Sequence, residues 1–125
     1  MKRKLFISAI AVLLLAVGAT AASAHTVLIA SSPIKNSTLS HLPTKIRLTF
    51  ADPLLTLGKN PINQVVVTDP MNMVISNSAN VVKGAVLTNT ITDQTPVSGK
   101  YEVTYRVSAQ DGHIVTGKFF FTLKN

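Results

Sequence analysis

The chain has no cysteine and no tryptophan, and it holds only five acidic residues. Without thiols there is no disulfide, no thiolate metal site, no thiol nucleophile and no CxxC redox pair. Any chemistry must therefore come from histidine, carboxylate, thioether or a terminal amine. Aromatics are sparse too, with two Tyr and five Phe, and they fall in core patterns rather than among cations. The basic residues beyond position 24 (Lys35, Lys45, Arg47, Lys59, Lys83, Lys100, Arg106, Lys118 and Lys124) are scattered singly. Nucleic-acid binding needs them clustered on one face, so no nucleic-acid partner is expected. No Ser/His/Asp or paired-carboxylate grouping stands out for hydrolysis. Helical periodicity joined to capping signals is also missing.

What is present begins with a leader. Lys2, Arg3 and Lys4 precede an apolar run from Leu5 to Val17, and Ala22-Ser23-Ala24 forms a small-x-small box. These are the three regions of a secretory signal peptide, with cleavage expected after Ala24. The apolar run falls short of the roughly 20 residues that span a bilayer, and no second such run follows, so no stable membrane insertion is expected after processing. The product would run from His25 to Asn125 as one domain of 101 residues. Loss of the leader removes three of twelve basic residues, leaving nine against five acidic ones, a net charge of +4 with His neutral. In a bacterium its location would be periplasmic.

The remainder reads as strands separated by turns. Thr26 to Ala30 is a short strand stopped by Ser31-Ser32-Pro33, and Asn36 to Pro43 is a polar connection. Lys45 to Phe50 alternates, with Ile46, Leu48 and Phe50 on one face. Asp52-Pro53 breaks that strand, Leu54 to Leu57 reads as an edge piece, and Gly58 to Pro61 as a turn. Gln64 to Thr68 and Met73 to Ser76 are strands around the Asp69-Pro70 turn, Asn77 to Asn80 turns the chain, and one or two more strands lie between Val81 and Thr92. In the final stretch, Tyr101, Val103, Tyr105 and Val107 share a face, as do Phe119, Phe121 and Leu123. Tyr101 after Ser98-Gly99 matches the tyrosine corner of immunoglobulin-like folds, so the fold class is an all-β Greek-key sandwich or barrel of about seven strands.

Between the last two strands lies Asp111-Gly112-His113, a carboxylate and an imidazole two residues apart across a glycine that frees the backbone to turn. If seven strands alternate in direction, the loop between the sixth and seventh lies at the same pole as the amino terminus. His25 as residue one would offer its α-amine and imidazole as a chelate. His113 would add a second ring and Asp111 an oxygen. Three nitrogens and one oxygen suit tetragonal Cu(II), the tightest-binding divalent first-row ion, better than tetrahedral Zn(II).

The terminal Ala-His, the Ser-Ser-Pro turn, the KIRLTF-x-D strand and GKYEVTYRVSAQDGHIVTGKFFFTL together resemble the CopC family of periplasmic copper-resistance proteins. The resemblance covers essentially the whole chain after the leader. It implies a Greek-key β-sandwich that carries or buffers Cu(II) without catalysis, with His25, Asp111 and His113 as metal ligands. It also implies a membrane copper transporter of the CopD type as a partner. Asp52 matches a position that is often acidic near the copper of relatives, and is equally a turn former before Pro53. Some relatives bind Cu(I) through a Met-rich loop with a His. Here only Met71 and Met73 are available, and strand-edge packing is the better account of them. His41 reads as a solvent-facing loop residue. Two other functions compete. A terminal His chelate is similar to the copper brace of oxidative polysaccharide monooxygenases, but this chain lacks their broad aromatic substrate face. A metal-free structural or adhesive immunoglobulin-like module would leave His25 and the DGH loop incidental.

Overall fold

Alternation of apolar residues along the strands puts one face of each sheet inward, and two such faces close on a single core. The computed structural model describes residues 25–57 and 62–125; the leader expected over 1–24 and the turn expected over Gly58 to Pro61 lie outside the described residues. The strands are β1 (Leu28–Ser32), β2 (Thr38–Leu39), β3 (Lys45–Phe50), β4 (Gln64–Thr68), β5 (Ser76–Lys83), β6 (Val86–Ile91), β7 (Gly99–Ser108) and β8 (Ile114–Leu123). One sheet has the order β1-β3-β6-β5 and the other β2-β8-β7-β4. Ile46, Leu48, Phe50, Leu87 and Ile91 from the first sheet meet Val65, Val67, Tyr101, Val103, Phe119 and Phe121 from the second, all buried. Each large side chain so buried contributes about 1.5–3 kcal/mol relative to exposure. This is the expected all-β sandwich.

The strand count is eight among the described residues rather than about seven, and the difference is local. The polar connection of Asn36 to Pro43 contains β2, a two-residue strand that pairs in parallel with β8 through Thr38↔Thr122 and Leu39↔Leu123. It pairs through its backbone, so hydrophobic patterning does not reveal it. β1 and β2 both run away from the pole at which β8 starts, with Pro33 between them and Asn36 at a φ of 62°. They act as one strand that changes sheets, and this preserves the alternation that brings the first strand and the last hairpin to the same pole.

Three further expectations are corrected. Leu54 to Leu57 forms no strand; its backbone instead bonds outward, with Leu54 N–H donating to Gly84 O (2.9 Å) and Leu55 N–H to Ser108 O (3.0 Å). Met73 to Ser76 is not a strand either, since Val74 makes only an isolated bridge to Thr68 and β5 begins at Ser76. Asn77 to Asn80 lies inside β5 rather than in a turn. Asparagines favour turns because their side chains satisfy nearby backbone, but here a distant side chain does so. The buried Asn89 of β6 accepts from Asn77 N–H (2.9 Å) and donates to Asn77 O (2.8 Å), Ala79 O (3.2 Å) and Asn80 Oδ1 (2.9 Å) across the irregular stretch of the ladder. The actual turn is Gly84-Ala85, with Gly84 at a φ of 58°. β5 also closes the side of the sandwich, where Asn80 Oδ1 and Ser76 Oγ accept from the edge amides of Val65 and Val67 in β4.

Tyr101 is the tyrosine corner. Its ring stacks on Phe121 (centroids 5.0 Å apart, interplanar angle 11°), and its hydroxyl donates to Val97 O (2.8 Å) and accepts from Val97 N–H (3.1 Å). Tyr101→Phe keeps the ring but strands both Val97 groups, so it should destabilise the domain by about 1–2 kcal/mol. At about 4–8 °C per kcal/mol the melting temperature should fall visibly. An unchanged midpoint in denaturant or heat would contradict this assignment.

Candidate metal centre

The tip of the last hairpin is built by β7 and β8, which pair in unbroken register from Gly99↔Leu123 to Ser108↔Ile114 and leave Ala109 to His113 to reverse the chain. Gly112 N–H donates to Ala109 O and Ala109 N–H to His113 O, both at 2.9 Å, which makes a tight closed turn. Gly112 sits at a φ of 87°, a conformation open to glycine and costly for most side chains. The reversal aims Asp111 and His113 the same way. Asp111 Oδ1 accepts from His113 N–H (3.0 Å) while Oδ2 lies 2.6 Å from His113 Nδ1. An ionised carboxylate only accepts, so Nδ1 is the donor in this contact, and Nε2 is the ring nitrogen of His113 that the contact does not use.

These bonds from His113, the side-chain one first and the backbone one second, hold the Asp111 carboxyl below its ordinary value, with the rings of His113 and His25 adding attraction. A depressed folded-state value favours the fold above the unfolded value of about 3.9, and that contribution is lost as pH falls through the folded one. The group is at the surface, so the interaction orders the loop more than it stabilises the domain.

His25 joins from the other side. Its ring centroid is 4.7 Å from that of His113 with the planes inclined at 57°. One donor atom each from His25, Asp111 and His113 lie within 4.8 Å of one another, and all three residues are exposed. This is the grouping expected from the sequence. The other candidates fall elsewhere. Asp52 is not a member of the group; it enters through its backbone, with its N–H donating to Thr26 Oγ1 (3.1 Å). His41 follows β2, which ends beside Leu123 at the far end of β8 from His113. Met71 and Met73 follow β4, whose Thr68 pairs with Glu102 near the start of β7, so they too lie at the opposite pole. Both methionines are exposed rather than packed at a strand edge.

Sequence reasoning missed the supports. Thr26 is 1% exposed, and its hydroxyl accepts from Asp52 N–H and donates to Asp52 O (3.4 Å). Gln110 Nε2 donates to Pro53 O (3.3 Å) and Leu54 O (3.2 Å). The buried Asn63 donates to Leu55 O (2.8 Å) and accepts from Ser108 N–H (2.8 Å). All of these partners are main-chain groups of distant segments, which no local motif records.

A CopC domain model matches residues 28–124. The chain belongs to the CopC family. The match contains Asp111 and His113 and begins three residues after His25. Two solved CopC-like structures share the architecture. CopC from Methylosinus trichosporium OB3b is 24% identical with a TM-score of 0.64, over 80% of this chain and 94% of that one. PcoC, described as a methionine-rich copper resistance protein from Escherichia coli, is 24% identical with a TM-score of 0.65, over 80% of this chain and 99% of that one. No curated protein matches the chain. Among the described residues of this CopC-family chain, no helix is long and apolar enough to cross a membrane.

In the metal-free protein, the Asp111 carboxyl should titrate below about 3.9 when followed by NMR, and His113→Ala should raise its midpoint toward that value. A wild-type midpoint at the ordinary value would show that the Asp111–His113 contact does not persist in solution.

Proposed function

We propose that this CopC-family protein is a non-catalytic Cu(II) carrier or buffer of the periplasm, exported by a signal peptide cleaved after Ala24, with the ion as cargo. The single observation that supports the reading is the juxtaposition of His25, Asp111 and His113 at one pole, with one possible donor atom from each lying within 4.8 Å of the others. The donor set fits the ion. Two imidazoles, a carboxylate and, after processing, the α-amine of His25 form a nitrogen-rich set of the kind Cu(II) takes in tetragonal geometry. The Asp111–His113 hydrogen bond contributes orientation, as outer partners of metal-bound histidines do.

Exposure of all three residues suits cargo exchange, since a partner protein can reach the ion directly. A membrane copper transporter of the CopD type is the partner that the family suggests. The copper-resistance description of the Escherichia coli neighbour agrees with this role. No catalytic step is assigned.

Replacement His113→Ala, or addition of one residue before His25, removes a donor in each case. Each should weaken Cu(II) binding to the processed protein by more than about 100-fold, because even outer-shell partners commonly carry 10–100-fold. Competition titration against a Cu(II) chelator reads the change. Unchanged affinity in both variants would leave only an exported β-sandwich module.

A further inference from the structure

The residue next to each half of the site is fastened to the same short piece of backbone. Thr26, adjacent to His25, is bonded through its buried hydroxyl to both the N–H and the C=O of Asp52. Gln110, adjacent to Asp111, donates to the carbonyls of Pro53 and Leu54. The piece they share is itself pinned. Ala51 N–H donates to Val27 O (2.8 Å), Leu54 N–H to Gly84 O (2.9 Å) and Leu55 N–H to Ser108 O (3.0 Å), and Leu54 is 4% exposed in the core. Residues 51–55 have no regular secondary structure, yet their main chain bonds to the residue just before the first strand, the β5–β6 turn and the last hairpin at once.

We propose that Thr26 and Gln110 are positioning residues for the metal centre, fixing His25 against the Asp111–His113 tip through their common anchor on the backbone of residues 52–54. This rests on the reading of that pole as a Cu(II) site, and it adds what sets the geometry. A first residue carrying a free amine has nothing before it to hold it and ordinarily frays. Ordering its backbone and ring at the moment of binding would draw on the binding free energy. Thr26 is the first point at which the processed chain can be tied down. Its hydroxyl uses donor and acceptor together, which valine, of the same shape, cannot do. Gln110 ties the opposite half to the adjacent carbonyls. The spacing between His25 and His113 is thereby set by one rigid intermediary instead of two independent loops.

The test compares the processed wild type with Thr26→Val, Thr26→Ser, Gln110→Ala and His113→Ala, using two readouts. In the metal-free state, NMR cross-relaxation between the His25 and His113 rings reports their proximity. It should be present in wild type and Thr26→Ser, lost in Thr26→Val and weakened in Gln110→Ala. Cu(II) affinity from chelator competition should fall about 10–100-fold in Thr26→Val, less in Gln110→Ala, and recover in Thr26→Ser. A fall in melting temperature with ring contact and affinity intact would mean that Thr26 serves stability alone, and would overturn the proposal. Should Thr26→Val fail to fold, the exposed Gln110 carries the test, and wild-type contact and affinity in Gln110→Ala would overturn it. Wild-type affinity in His113→Ala would instead remove the copper reading, while the metal-free ring contact would still decide whether the clamp exists.

Discussion

The ladder between β7 and β8 is the constraint on which the rest depends. Ten consecutive pairs, from Gly99↔Leu123 to Ser108↔Ile114, fix the register so that Tyr101, Val103, Phe119 and Phe121 all face the core. A slip of one residue would turn every one of them outward, so the core itself enforces the register. With the register fixed, five residues remain for the reversal, and the glycine within them determines where Asp111 and His113 point. The chemistry at the tip is thus a by-product of hydrophobic pairing many residues away.

A second constraint brings His25 to that tip. β1 is an edge strand, held to β3 through Leu28↔Phe50 and its neighbours, and its continuation β2 lies along the far end of β8. The first strand therefore crosses the molecule beside the last one while contributing to both sheets. Its start lies beside the start of β8, where the hairpin turns. His25 and a loop more than 80 positions away in sequence become neighbours, at a ring separation of 4.7 Å.

Much of this was legible in the sequence, for identifiable reasons. Residues whose role follows from period-two alternation, such as Ile46 and Leu48 or Tyr101 and Val103, are legible because burial depends on side-chain type. His25, Asp111 and His113 could be singled out because few residue types bind metal, and these stand at the expected cleavage point of a leader and at a glycine turn. The failures have a common cause. Asn77 to Asn80 read as a turn because the buried Asn89 that supports it as strand lies on another strand. The two residues of β2, and the clamps of Thr26 and Gln110, depend on distant backbone groups, and backbone is the same at every position. Sequence reveals side-chain preferences and hides main-chain partners, so it disclosed the three residues grouped at this pole and concealed the backbone contacts made beside them.

The most direct test of the central claim is the EPR spectrum of the processed protein carrying one equivalent of Cu(II). The account predicts a single tetragonal signal with superhyperfine splitting from more than one nitrogen, unaltered by further washing with a weak chelator. A spectrum indistinguishable from Cu(II) in buffer, or one with only oxygen donors, would contradict it.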